Sequence, residues 1–210
     1  MSKSRQQKKT NRWNDKQNRD QYVKKARESG YRGRAIYKLE QIDRKYRLIN
    51  RGSLIVDLGS APGSWSQYVS SIVSSSNQIV SVDLLEMETI KNVHFIQGDF
   101  TDLEVVEKIL TSLDNHQLDL VLSDMAPNIS GIRSTDQARA WELQEMISVF
   151  CDRALKKGGT LLTKLFEGEA SVSTRKLFKQ QFKELQMIKP DASRSESKEI
   201  FLLARGFKLD

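Results

Sequence analysis

The chain has 210 residues, 38% of them hydrophobic and 29% charged, and a formal net charge of +7. That length builds one domain with a sizeable core and is short for two, and the composition is that of a soluble globular protein. No apolar run approaches the ~18 residues of a membrane span, no hydrophobic segment of a secretory signal follows the basic N-terminus, and the single Cys151 excludes an internal disulfide or a cysteine metal cluster; no metal site is expected, and the reducing cytoplasm is the simplest location.

The first 34 residues hold twelve Lys/Arg against three acids, a net +9, which leaves −2 for residues 35–210. The basicity is a local patch, and such patches attract polyphosphates. Trp13, Tyr22 and Tyr31 are interleaved with the charges, and aromatic faces stack on unpaired bases. Residues 1–33 are therefore expected to be a loosely ordered RNA-binding arm, with a solvated tail as the plain alternative. Arg32, Arg34 and Lys38, where the arm meets the domain, are its expected RNA contacts. Residues 34–210 read as a single domain.

In residues 34–47, Ile36, Leu39, Ile42 and Tyr46 recur at helical spacing, with Lys38 at the edge of the stripe. Short apolar runs then alternate with helical stretches. The expected strands are 53–58, 78–83, 93–99, 118–124 and 159–166. The expected helices lie near 64–74, 102–113, 136–155 and 171–184. Such alternation predicts an α/β fold with a mostly parallel sheet covered on both faces. The chain then changes habit: 185–190 and 199–207 are two strands with no helix between them, which predicts an antiparallel last strand in a sheet of about seven.

The first strand runs into Gly59-Ser-Ala-Pro-Gly63. A nucleoside-triphosphate loop would need a Lys and a hydroxyl that are missing here. A dinucleotide fingerprint would need a glycine where Ala61 stands, and Pro62 removes one N–H from a phosphate nest. S-adenosylmethionine, a nucleoside with no phosphate, fits better. Asp83, at the end of the second strand, is placed for ribose hydroxyls. Asp99, ending the third, can reach the adenine amine, and Asp57 can face the amino group of the methionine part. The plain alternative is that each acid caps a turn.

Asp124 ends the fourth strand and Lys164 lies near the end of the fifth, at the edge where open α/β sheets bind ligands. If the last strand inserts antiparallel beside the fifth, Glu199 at its start reaches the same edge. Strands ~4.8 Å apart would let these side chains meet, and Lys38 can complete a Lys-Asp-Lys-Glu cluster. Ordinary rim ion pairs are the competing reading.

Six segments carry a resemblance: "VDLGSAPGSWSQYV", "SVDLLEM", "FIQGDF", "SDMAPNISG", "LLTKLFEGE" and "KPDASRSESKEIF". Over about residues 30–208 the chain resembles the FtsJ-type ribosomal RNA 2′-O-methyltransferases. The resemblance implies a Rossmann-like S-adenosylmethionine-dependent methyltransferase fold. It implies a catalytic tetrad at the matching Lys38, Asp124, Lys164 and Glu199. It also implies cofactor contacts at Gly63, Trp65, Asp83, Asp99 and Asp124, beside the Asp57 and Gly59 of the loop reading. The acceptor it implies is a uridine ribose in 23S ribosomal RNA of the large ribosomal subunit, and the protein is expected to act as a monomer. Ser60 and Ser64 depart from the small residues usual in the family's loop.

Other acceptors fit poorly. The segment after the fourth strand, Asp124-Met-Ala-Pro-Asn128, lacks the aromatic that stacks a target base in base-amino methylation. Carbon-5 methylation needs a thiolate, and Cys151 falls inside a predicted helix. His94 and His116 lie away from strand ends. A transfer RNA or messenger cap as acceptor, and a silent RNA-binding module, stay open as rivals.

Overall fold

The computed structural model describes residues 20–73, 79–194 and 196–208. In chain order the elements are α1 Gln21–Glu28, α2 Ile36–Tyr46, β1 Ile55–Leu58, α3 Ser64–Ile72, β2 Ile79–Asp83, β3 Val93–Gln97, α4 Leu103–Ser112, β4 Leu118–Ser123, α5 Arg133–Ala154, β5 Leu155–Phe166, α6 Glu169–Gln181, β6 Phe182–Ile188 and β7 Glu199–Phe207. The seven strands form one sheet in the order β3-β2-β1-β4-β5-β7-β6. All neighbours among β3, β2, β1, β4 and β5 pair in parallel, and β7 runs antiparallel to both β5 and β6. This is the expected fold.

The central strands are mostly apolar because both sheet faces are covered. On one face Leu120, Leu122, Leu162, Phe201 and Leu203 pack against Ile36, Leu39 and Ile42 of α2 and Trp65 and Val69 of α3. On the other, Val56, Val80, Val121 and Leu161 meet α4 and α5 through Ile109, Ile147 and Phe150. Strand alternation therefore sends every second side chain of β4, β5 and β7 to the α2 face.

Two strands differ from expectation. β5 starts at Leu155 instead of 159, because Leu155 is buried and pairs with Leu118; a register shift follows within the strand, where Gly158 has φ +81. β6 begins at Phe182, where a continuing helix was expected. Phe182 is drawn into the core between Phe178 and Phe207, at ring separations of 5.9 and 5.2 Å.

The arm needs a larger correction. Residues 1–19 lie outside the described residues, but residues 20–33 are a docked part of the domain. Asp20 caps α1 by accepting the Tyr22 N–H, and Val23 and Ala26 are buried. The Tyr22 and Tyr31 rings, expected to await bases, pack at 5.5 and 6.1 Å from the Tyr37 ring. The Asp20 carboxylate also pairs with Arg34 and with Arg194 of the β6–β7 loop.

Candidate active site

The Asp124, Lys164 and Glu199 side chains meet because three neighbouring strands deliver them to one edge and one face. In β4, Leu120 and Leu122 point toward α2, and Asp124 continues that alternation one residue past the strand. In β5, Leu162 is followed by Lys164. In β7, the antiparallel register sets Lys164 opposite Phe201 and Phe166 opposite Glu199. Glu199 is therefore the diagonal neighbour of Lys164 on the same face, ~7–8 Å away in an ideal ladder. Lys38, on the first turn of α2, comes down onto this face.

The four side chains form two ion pairs. Lys164 Nζ lies 3.0 Å from Asp124 Oδ1 and also donates to the Asp124 backbone carbonyl. Lys164 as a residue is only 8% exposed. Burying a charge is costly unless it is paired, and this bond set supplies the pairing. Lys38 Nζ lies 2.6 Å from Glu199 Oε1, which also accepts from Ser193 Oγ at 3.2 Å. The Phe201 ring lies beneath Lys38, 5.8 Å from its Nζ.

Beside the first pair opens a cavity of about 680 Å³ at the carboxyl ends of β1–β4. Gly59, Asp83, Asp99 and Asp124 all line it, with Leu84, Phe100, Met125 and Met146 as apolar walls. Gly59 is required by close packing: it has φ +69, and a Cβ there would lie 2.0 Å from Met125 Cγ. The loop itself tells what the cavity does not hold. Gly59 and Ser60 donate their N–H groups to the Val82 carbonyl, Ala61 to Asp83 Oδ2 and Gly63 to the Ser60 carbonyl. Pro62 has none to give. No N–H of residues 59–63 is left for a phosphate, so the loop fits a nucleoside ligand without one. Asp83 also accepts from Leu85 N–H at 2.8 Å through Oδ1. These loop bonds fix its carboxylate, and each oxygen keeps acceptor capacity for a hydroxyl. Asp99 is held by the Thr101 N–H and hydroxyl on Oδ1. These carboxylate acceptors thus fit the ribose hydroxyls and amine groups of S-adenosylmethionine.

Three of the other expected cofactor residues stand behind this wall rather than in it. Asp57 is buried beneath the loop and accepts the Ser66 hydroxyl at 2.6 Å. Burial, opposed by the Ser66 bond and aided by Asp124 and Asp83, raises its carboxyl to about 7. Trp65 is buried, its indole N–H donates to the Ala35 carbonyl at 2.9 Å, and its ring packs 5.7 Å from Phe201. It supports the floor under Lys38. Gly63 caps α3 at φ +104, where a Cβ would lie within 3 Å of Ile90, Met87 and Arg32.

The expected RNA contacts Arg32 and Arg34 are committed elsewhere. Arg32 donates to the backbone carbonyls of Pro62, Glu88 and Thr89. Arg34 is paired with Asp20 and donates to the Ala192 carbonyl, and burial holds its guanidinium below the usual arginine range. A charge count makes every arginine near a basic arm look available; nearby backbone carbonyls had already claimed these two. Cys151 is fully buried in α5, which pushes its thiol far up and leaves it inert.

A family model for FtsJ-like methyltransferases matches residues 31–207. The chain belongs to the FtsJ-like methyltransferase family. It is an enzyme of the methyl-transferring class. Among its relatives, "Ribosomal RNA large subunit methyltransferase E" of Pseudomonas aeruginosa is 46% identical over 94% of this chain and 95% of its own length. The protein of the same name from Hahella chejuensis is 43% identical over 96% and 98%. A solved structure of a provisionally assigned ribosomal RNA methyltransferase from Plasmodium falciparum superposes with a TM-score of 0.75 at 30% identity, covering 84% of this chain and 98% of that one.

For this FtsJ-like methyltransferase, sequence reasoning missed the apolar half of the cavity. Leu84 and Phe100 directly follow the strand-terminal Asp83 and Asp99, so position alone could have flagged them. Met146, Leu143 and Arg139 come from α5, whose weak amphipathic pattern carried no such signal. Gln144 was missed as well: buried in α5, it donates to the Lys164 carbonyl at 3.2 Å and accepts the Thr163 hydroxyl at 3.1 Å. It bonds to the strand end that carries the amine.

Proposed function

We propose that this enzyme transfers a methyl group from S-adenosylmethionine to the 2′-oxygen of a uridine ribose in 23S ribosomal RNA, within the large ribosomal subunit, acting as a monomer in the cytoplasm. One observation carries the reading: Asp124 is both a wall of the nucleoside-type cavity and the partner of the buried Lys164 amine. An acceptor oxygen held by Lys164 therefore sits at the border of the donor site. S-adenosylmethionine bound there supplies an electrophilic methyl group on a positively charged sulfur.

The protein residues align and dehydrate the reacting groups. Lys164 Nζ donates to the Asp124 backbone carbonyl and is held as an ion pair beside the Asp124 carboxylate. A remaining hydrogen is left to donate to the ribose hydroxyl. Methylation releases the hydroxyl proton, which passes to the Asp124 carboxylate, with Lys164 giving Asp124 one of its protons as it takes up the one from the oxygen. Lys38, tethered by Glu199 at the outer side of the cluster, holds the sugar–phosphate backbone of the target nucleotide. RNA is preferred because DNA lacks the hydroxyl that this pair grips. The names of the relatives support the ribosomal substrate, and the seven Lys/Arg of residues 1–19 support a polyphosphate partner.

The test is transfer of tritiated methyl from S-adenosylmethionine to large ribosomal subunits from cells lacking this enzyme, followed by nucleotide mapping. Label on a uridine of 23S RNA, at a linkage that resists alkaline cleavage, is the expected result. Label on a base, or on transfer RNA in preference, overturns it. Lys164→Ala should cut the rate of labelling by orders of magnitude and retain RNA binding.

A further inference from the structure

We infer that Arg32 is a positioning residue for the methyl-donor cavity and not a contact for RNA, an inference that rests on the cavity being the S-adenosylmethionine site. Arg32 lies in the connection between α1 and α2, inside the basic run, where charge alone marks it as a phosphate ligand. Its guanidinium is turned inward instead. Nη1 donates to the Pro62 carbonyl at 3.0 Å and to the Glu88 carbonyl at 2.9 Å, and Nη2 donates to the Thr89 carbonyl at 3.1 Å. The side chain is only 19% exposed.

These three carbonyls belong to two connections. Pro62 is in the β1–α3 loop, whose Gly59 lines the cavity. Glu88 and Thr89 are in the β2–β3 connection, which follows the cavity residue Asp83 at the end of β2 and begins with the cavity residue Leu84. On the cavity side the two connections are joined by Ala61 N–H to Asp83 Oδ2 at 2.8 Å. On the far side Arg32 joins them again. The donor wall is therefore fastened from both sides, and its outer fastening comes from a segment preceding the sheet. The Arg32 backbone is seated too: its N–H donates to Gln67 Oε1 at 3.1 Å, and Gln67 Nε2 donates to the Gly30 carbonyl at 3.1 Å.

The geometry demands arginine and a facing glycine. A planar fork with five donors can serve three carbonyls from two chain segments at once; a lysine ammonium on a flexible stem offers no such fixed fork. A Cβ at Gly63 would come within 2.9 Å of Arg32 Nη1, so Gly63 leaves the room the guanidinium occupies. The ion pair with Glu88, at 3.7 Å to a carboxylate that is 93% exposed, adds little.

Arg32→Lys is the discriminating variant, because it keeps a cation for phosphate and loses the fork. Equilibrium dialysis with labelled S-adenosylmethionine, in the full chain without RNA, should show binding about tenfold weaker than wild type, equivalent to ~1.4 kcal/mol. Hydrogen exchange at residues 59–63 and 88–90 should quicken in the same variant. RNA affinity and its salt dependence should stay at wild-type values in Arg32→Lys and in Arg32→Ala. Wild-type donor binding in Arg32→Lys overturns the inference, as does an RNA salt slope that falls by ~0.7–0.9 in Arg32→Ala, the signature of one lost phosphate contact. The wild-type arm separates the two claims: if wild type itself binds no S-adenosylmethionine, the cavity reading fails and takes this one with it. If only the variants behave as wild type, the cavity reading stands and the clamp alone is lost. Should Arg32→Ala not fold, the lysine variant carries the decision.

Discussion

The Asp57 carboxyl makes a pH-linked stability test that the structure sizes in advance. It is buried under the β1–α3 loop, and burial, opposed by the Ser66 hydroxyl and aided by Asp124 and Asp83, raises it from 3.8 to about 7. A raised folded-state value means that the folded protein holds this proton more tightly than the unfolded chain. The associated stability is complete below about pH 4 and is lost as pH rises through about 7. The rise spans roughly three pH units, and at ~1.4 kcal/mol per unit it corresponds to about 4 kcal/mol. Asp57→Asn removes the titration and keeps an amide oxygen for Ser66 to donate to. Urea unfolding of both proteins from pH 4.5 to 8.5 isolates the group, because every other titration cancels in the difference. Wild type should lose ground against the variant by ~1.4 kcal/mol per pH unit up to about pH 7 and then level off. A difference that stays flat across this range, or one that favours wild type at high pH, refutes the reasoning.

Occupying the cavity with a cationic ligand should favour ionised Asp57, so S-adenosylmethionine affinity should rise with pH through about 7 in wild type and lose that dependence in Asp57→Asn, as read by calorimetry. Lys164→Ala should lower kcat by ~10²–10⁴ in single-turnover assays with donor affinity within a few-fold, the range for loss of a proton-transfer group. Gly59→Ala, which sets a Cβ against Met125 at a positive φ, should weaken donor binding and lower Tm, whereas Gly131→Ala, also at positive φ but with open space, should affect neither donor binding nor packing. Removing residues 1–19 takes away seven Lys/Arg and one acid while sparing the Asp20 cap of α1. It should reduce the salt slope of RNA binding and leave donor affinity unchanged; equal slopes would end the arm's assignment.

What could be read before the fold was known follows the range of the forces involved. The strand-terminal acids and the Gly59–Gly63 loop were legible because local chain geometry decides them: a glycine at positive φ and an acid ending an apolar run are visible within ten residues. The β7 reversal was legible because the helix missing between 190 and 199 leaves only an antiparallel return. The fates of Arg32 and Arg34 were not. Their partners, Pro62, Glu88, Thr89, Ala192 and Asp20, lie up to 158 residues away, and most are backbone carbonyls that any residue could supply. Trp65 fits its family position, yet only packing reveals that its indole supports Phe201 from below. The docking of α1 was hidden by its composition: eight residues with three Lys/Arg read as tail, and only Val23 and Ala26 reach the core.

The antiparallel direction of β7 has a consequence that no local motif supplies. With Phe166 opposite Glu199 and Thr160 opposite Arg205, the start of β7 lies at the carboxyl end of β5. Had β7 run parallel, Glu199 would stand at the other edge of the sheet, eight residues and ~26 Å along a nine-residue strand. Lys38 would then lack its carboxylate partner, and two cations would share the single carboxylate of Asp124. Like charges so placed repel in a poorly screened site, and Lys38 would be driven to swing to solvent. The reversal therefore sets the charge balance of the edge: Lys38 is neutralised by Glu199, which leaves Asp124 to Lys164 alone. Glu199→Gln should consequently do more than unseat Lys38. It should leave positive charge uncompensated beside Lys164 and lower kcat in single-turnover assays while donor affinity and Tm stay at wild-type values, a split that a merely structural Glu199 would not produce.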